Sequence, residues 1–327
     1  MARVITILGA GNMGTALATV LAANRYEVVL WSIEPEVVAE ITTQHRTEKY
    51  LPGMVLPPQV TATGDLSQAM ASARGVIFAV PSSVIVRVAA DVASHCGVRM
   101  PVLSVAKGID ADTLQPLSEC IAGALGRRRG TVAGLAGPAV AMEFARGTPT
   151  AVVVAGTPLV TRFWQRAFRR PAFHVEESRD LRGVSWAACL KNVYAVALGM
   201  GDGLGFTMNT KALLVTQALR EMATCLDRVS AHRATVYGLA GLGDLVTTGF
   251  SPHGRNRQFG ARICAGTQCD IPAVLRTMTV EGVAAAQVAH RWARAQRLRL
   301  PLLELVWRVC HRNADPTQAM RAYLQAI

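Results

Sequence analysis

The sequence predicts an α/β fold in two domains: a doubly wound parallel sheet over residues 1–181, then an all-helical domain over residues 182–327. Three observations predict it. Short apolar runs alternate with helix-length segments through the first half. A glycine-rich turn, GAGNMG at 9–14, joins the first run to the first helix. Past about residue 181 the strand signal ends and helical periodicity takes over.

The apolar run within 3–8 is a buried strand, and 15–21 is a helix. Between them Gly9 permits a tight turn, Gly11 lets the backbone approach a pyrophosphate, and Gly14 lets helix and strand pack closely. The helix N-terminus turns its amides toward phosphates. Strand, GxGxxG and helix in this order predict a Rossmann-type dinucleotide site. A second strand at 27–31 runs into Ser32-Ile33-Glu34. An acid there favours NAD, and a base favours the 2′-phosphate of NADP. Glu34 reads equally as the ribose acid or as a first-turn acid of the helix that Pro35 begins.

Further strands are predicted at 76–80, 102–105, 131–134 and 150–155, with helices at 84–93 and 113–124. Ligands of such sheets gather beyond the carboxyl ends of the strands, where Pro81-Ser82, Lys107-Gly108 and Gly137-Pro138 fall. Ordinary turn chemistry accounts for the prolines. Lys107 differs, because a cation just past a central strand faces the cofactor cleft.

The segment GVSWAACLKNVYAVALGMGDGLGF, 183–206, opens the second half as a largely buried helix, with Trp186, Leu190, Val193 and Ala197 at helical spacing. Lys191 and Asn192 sit mid-run, and a desolvated ammonium needs a carboxylate or an anionic ligand nearby. Helices follow at 209–230, 234–237, 255–265, 271–277, 283–296, 301–312 and 316–326. Between them GLAGLGD at 238–244 reads as a flexible turn delivering Asp244. GRNRQFG at 254–260 sets Arg255 beside Asn256, and TVEG occupies 279–282. Singly, Lys191 snorkels, the arginines are solvated and Asp244 caps a helix. Together they supply a proton donor, an acid to orient it, and a guanidinium with an amide for a phosphate.

The formal charge of +12 is scattered, with small clusters at 127–129 and 169–170. No basic tract interleaved with aromatics points to nucleic acid. A positive field suits a phosphorylated substrate and an anionic cofactor. Seven single cysteines without CxxC predict free thiols in a reducing compartment. The seven histidines lack metal-ligand spacing, so no metal is expected. The N-terminus enters a strand at once and no apolar run is long enough to span a bilayer, so the expectation is a soluble cytoplasmic protein.

Many blocks in order carry a family resemblance. They include KYLPG at 49–53, VPS at 80–82, AKGI at 106–109 and AGPAVAMEFARGTPTAV at 136–152. LKNVYAVALGMGDGLGF at 190–206, GLAGLGDL at 238–245, RNRQFG at 255–260, VEG at 280–282 and DPTQAM at 315–320 continue it. With GAGNMG, these make the chain resemble bacterial NAD(P)-dependent glycerol-3-phosphate dehydrogenases over nearly its whole length.

The resemblance implies reversible reduction of dihydroxyacetone phosphate to sn-glycerol 3-phosphate, feeding phospholipid synthesis. Lys191 would be the general acid/base. Lys107, Gly137, Lys191, Asn192, Asp244, Thr248, Gly254, Arg255 and Asn256 would bind substrate, Arg255 and Asn256 gripping its phosphate. Gly9, Gly11, Asn12, Met13, Gly14, Ile33, Lys107, Ala141, Arg255, Thr279 and Glu281 would bind NAD(H) or NADP(H), with NAD weakly preferred. A homodimer is implied by the resemblance alone.

Departures are Ala136, Ala139 and Gly254 where the family commonly has serine, Ile33 where it has a base, and Gln217 where it has arginine. GNMG also resembles pyrroline-5-carboxylate reductases, and the two-domain plan resembles β-hydroxyacid dehydrogenases. Neither explains LKN, GLGDL and RNRQFG together. A redox-sensing dinucleotide binder without turnover is the non-enzymatic alternative, which the two alanines would permit.

Overall fold

A computed structural model describes residues 3–127, 131–265 and 271–327. Arg128 and Arg129 of the 127–129 cluster, and Cys269 among the seven cysteines, lie outside the described residues. The chain divides into two compact units, Met1–Lys107 with Gln115–Leu181, and Gly108–Leu114 with Arg182–Ile327.

The first unit is an α/β sheet. Its described strands are β1 (Val4–Leu8), β2 (Glu27–Trp31), β3 (Val60–Thr63), β4 (Gly75–Phe78), β5 (Val102–Ser104), β6 (Val132–Ala136), β7 (Thr150–Ala155) and β8 (Phe173–Ser178). They lie in the order β3-β2-β1-β4-β5-β6-β7-β8. Helices α1 (Asn12–Ala23), α2 (Pro35–Gln44), α3 (Leu66–Met70), α4 (Ile85–Asp91), α5 (Leu117–Ala124), α6 (Ala141–Ala145) and α7 (Pro158–Phe168) alternate with them. Strand periodicity builds two apolar layers. Ile5, Ile7, Val28, Leu30 and Ile77 join Leu17, Leu21, Trp164 and Phe168 of α1 and α7. Leu8, Val76, Phe78 and Val102 turn the other way, onto Ile85, Val88 and Ile121 of α4 and α5.

The sheet is doubly wound as predicted but not wholly parallel. Strands β1 to β6 run parallel; β7 is antiparallel to β6, and β8 is parallel to β7. A buried run such as TAVVVA has the same pattern in either direction, so hydropathy does not reveal the reversal. Two strands carry too weak a signal to read: β3 is VTAT, and β8, FHVEES, buries only Phe173 and Val175 among polar neighbours. The helix expected over 113–124 starts only at Leu117. Asp110 Oδ1 accepts from the amides of Asp112 (3.2 Å) and Thr113 (2.8 Å), tying that stretch into a turn.

The second unit is helical: α8 (Leu181–Gly203), α9 (Met208–Arg228), α10 (Asp244–Phe250), α11 (Arg255–Cys264), α12 (Ile271–Thr277), α13 (Glu281–Ala295), α14 (Pro301–Arg312) and α15 (Pro316–Gln325). Every residue from 186 to 200 of α8 is buried, the mark of a core helix. Its neighbours approach to backbone contact. A Cβ on Gly199 would lie 2.0 Å from the Arg257 carbonyl oxygen, and one on Gly260 2.1 Å from that of Val196. GLAGLGD is not a flexible turn. Residues Leu239–Gly243 form a π-helical turn running straight into α10, closed by the Gly243 amide on the Gly238 carbonyl at 3.2 Å.

Glu221 of α9 caps α14 from outside. Its buried carboxylate accepts from the Leu302 (2.6 Å) and Leu303 (3.0 Å) amides and from the Tyr194 hydroxyl (3.1 Å). Burial outweighs these hydrogen bonds and pushes the carboxyl up to about 7 from 4.5. The folded state therefore holds this proton more tightly than the unfolded chain. Stability contributed here falls as pH rises from about 4.5 to about 7 and then levels. We expect Glu221→Gln to remove that slope, on the order of 3 kcal/mol across the window, in urea unfolding followed against pH.

Candidate active site

Lys191 lies midway along α8 with its side chain 5% exposed. A helix interior has no water to solvate an ammonium, so a counter-charge must come from a neighbouring helix. Asp244, the first residue of α10 and 3% exposed, supplies it with Oδ1 3.0 Å from Lys191 Nζ. Lys191 also donates to Thr248 Oγ1 at 2.6 Å, and that hydroxyl donates to Asp244 Oδ1 at 3.2 Å. Asp244 and Thr248 are one helical turn apart on α10, so both face the same lysine. The triangle fixes Nζ in position and keeps it charged-partnered within the core.

Asn192 belongs to a second network. Its Nδ2 donates to Glu281 Oε2 at 3.1 Å, and its Oδ1 accepts from Asn256 Nδ2 at 2.9 Å. Asn256 Oδ1 accepts from the Gly282 amide at 2.9 Å. The chain of contacts links α8, α11 and the start of α13. Gly282 permits it, since a Cβ there would sit 2.5 Å from the Asn192 carbonyl oxygen.

Arg255 opens α11 beside Asn256 and is exposed, and Thr279 is exposed just ahead of α13. Gly254 precedes Arg255 in a turn so close to α10 that a Cβ would lie 2.5 Å from the Thr248 carbonyl oxygen. That contact accounts for glycine at this position. Asp202, near the end of α8, braces the same turn. It pairs with Lys211 at 2.6 Å and with Arg257, whose Nη1 donates to the Ser251 carbonyl at 3.2 Å. The sequence does not reveal this brace, because an acid and a base 55 residues apart carry no local signal of their pairing. Nothing in the structure explains Gln217.

In the first unit the remaining candidates gather at the carboxyl edge of the parallel strands. Gly9 follows β1, Ile33 follows β2, Lys107 follows β5 and Gly137 follows β6. Gly9 adopts φ +117° and Gly137 φ +128°, left to glycine by sterics. A Cβ on Gly14 would lie 2.0 Å from the Gly9 carbonyl oxygen. A Cβ on Gly11 would meet nothing within 4 Å, so the space above this N-cap of α1 is open. Asn12 and Met13 form the first turn of α1, and Ala141 the first residue of α6. Lys107 is half-buried, while Ile33 is 80% exposed. Glu34 is neither unpaired nor a side-chain cap of α2. Its carboxylate is bound by Lys49 and by the Tyr50 hydroxyl, contacts that hold it below the usual carboxylate range.

No group of three or more His, Cys, Asp or Glu side chains suited to a metal ion occurs among the described residues. No described helix is long and apolar enough to cross a membrane. The cysteines among the described residues are free, and burial pushes the Cys189 thiol on α8 up to about 12.

Two family models match the chain: the N-terminus of NAD-dependent glycerol-3-phosphate dehydrogenase over residues 4–160, and its C-terminus over residues 180–321. A glycerol-3-phosphate dehydrogenase [NAD(P)+] of Anaeromyxobacter sp. (strain K) is 38% identical over 98% of this chain and 97% of its own. That of Deinococcus radiodurans is 40% identical over 97% and 93%. The crystal structure of glycerol-3-phosphate dehydrogenase from Coxiella burnetii superposes with a TM-score of 0.92 at 32% identity, covering 99% of both chains.

Removing one member of a buried ion pair strands the other in the core. We expect Asp244→Ala to lower unfolding free energy by about 3–5 kcal/mol in urea titration. The double replacement Lys191→Met with Asp244→Leu, which removes both charges, should recover most of that loss.

Proposed function

The chain belongs to the NAD-dependent glycerol-3-phosphate dehydrogenase family, and from that premise we propose how its residues divide the work. The reaction interconverts dihydroxyacetone phosphate and sn-glycerol 3-phosphate with NAD(H) or NADP(H), supplying glycerol 3-phosphate for phospholipid synthesis. The bound nicotinamide supplies the hydride. The open space over Gly11, at the N-terminus of α1, is where a pyrophosphate fits without displacing a side chain.

Gly9, Gly11, Asn12, Met13 and Gly14 hold that pyrophosphate through backbone amides. Ile33, Ala141, Thr279 and Glu281 hold the rest of the cofactor. Lys107 serves both cofactor and substrate. Lys191 delivers a proton from Nζ to the C2 oxygen and takes it back in reverse. The observation that carries this is the buried Lys191–Asp244–Thr248 triangle. A positioned donor at an alkoxide-forming oxygen lowers the barrier, and Asp244 with Thr248 fixes where that donor points. Asn192 holds Glu281 and Asn256 in register while contacting substrate. Arg255, with Asn256 and the Gly254 turn, grips the phosphate by charge-assisted hydrogen bonds. Gly137 gives close backbone approach in place of the hydroxyls absent at Ala136 and Ala139. Glu34 at the end of β2 supports a weak preference for NAD. A cytoplasmic homodimer is part of this reading, supported by the family and testable by sedimentation.

Oxidation of NADH and NADPH with dihydroxyacetone phosphate tests the reading. No turnover with either cofactor, in protein that binds both, would favour the sensor alternative. Lys191→Ala should cut kcat by about 10²–10⁴-fold with cofactor affinity unchanged. Near-normal kcat would remove Lys191 from its role. Arg255→Ala deletes hydrogen bonds to a charged group worth on the order of 1.5–3 kcal/mol, so KM for the phosphorylated substrate should rise about tenfold or more. An unchanged KM would move the phosphate elsewhere.

A further inference from the structure

The KYLPG segment has no part in the roles above, yet two of its residues close on the end of β2. Lys49 Nζ pairs with Glu34 Oε2 and lies 3.7 Å from Glu36 Oε1, and the Tyr50 hydroxyl donates to Glu34 Oε1. Beside them Ile33 is 80% exposed, an apolar side chain turned to solvent where a flat purine face would cover it. The Lys49 side chain is itself half exposed, at 52%.

An acid at this place accepts from the ribose 2′-hydroxyl. A phosphate esterified on that hydroxyl would meet the Glu34 carboxylate as a like charge. It would also meet the Lys49 ammonium, which is one hydrogen bond from the same carboxylate. Resting on the dinucleotide-site reading above, we propose that Lys49 is the residue that accepts the 2′-phosphate of NADP(H), and that its pairing with Glu34 sets the cofactor preference. With NAD, Lys49 stays on Glu34, and Glu34 takes the ribose hydroxyls. With NADP, Lys49 turns from Glu34 to the phosphate. Glu34 and Glu36 then oppose the phosphate while Lys49 attracts it, so the preference is graded rather than absolute.

The test separates the 2′-phosphate from the rest of the cofactor: calorimetric binding of adenosine 2′,5′-bisphosphate and of 5′-AMP. Lys49→Ala should weaken the bisphosphate tenfold or more and leave AMP within about threefold. Lys49→Arg should keep the bisphosphate within about threefold of the unmodified protein. Glu34→Gln should tighten the bisphosphate relative to AMP about tenfold. Equal losses for both ligands in Lys49→Ala would make Lys49 a support for its loop and overturn the proposal. So would an unchanged bisphosphate affinity, or no measurable bisphosphate binding by the unmodified protein. Failure of the dehydrogenase reading shows separately, as absent turnover of dihydroxyacetone phosphate by the unmodified protein.

Discussion

A buried ammonium is the constraint on which the helical unit depends. Lys191 cannot reach water from the middle of α8, so α10 must arrive with Asp244 and Thr248 on its facing side. Adjacent residues on a helix point about 100° apart. Asn192 therefore addresses different helices, α11 through Asn256 and α13 through Glu281. Two consecutive polar residues thus fix three surrounding helices about one core helix. The glycines at 199, 260 and 282 let those backbones come close enough for short side chains to bridge them. The pair is not a cheap way to stabilise a core, since apolar replacements serve stability as well or better.

Much of this was legible in the sequence. GAGNMG between an apolar run and a helix marks the turn from β1 into α1, and helical spacing around Lys191 marks the core helix. Lys191 and Asn192, out of place in an apolar run, are buried and paired by the fold, Lys191 with Asp244 and Asn192 with Asn256 and Glu281. What stayed hidden was relational. Hydropathy does not encode the direction of β7. It does not join Asp202 to Arg257 or Lys49 to Glu34, and it does not show that Glu221 caps a helix 80 residues on. Glycine in GLAGLGD suggests freedom. Here the glycines admit close packing in a π turn instead.

The sheet and the helical unit answer different demands. The edge at Gly9, Ile33, Lys107 and Gly137 lies beyond the carboxyl ends of the parallel strands, with open space over nearby Gly11. The Lys191 network instead presents interlocked charged and amide side chains, joined by hydrogen bonds across four helices. Substitutions should accordingly be read differently in the two places: by Cβ volume in the first, by charge balance in the second.

The short stretch Gly108–Leu114 belongs with the helical unit although it interrupts the sheet unit in sequence. During synthesis it leaves the ribosome before any residue of Arg182–Ile327 exists. A sheet unit that folds as it emerges would do so around a loop whose own partners are still unmade. Ile109, buried in the finished protein and hydrogen-bonded through its backbone to Cys189, finds that partner only once α8 has been made.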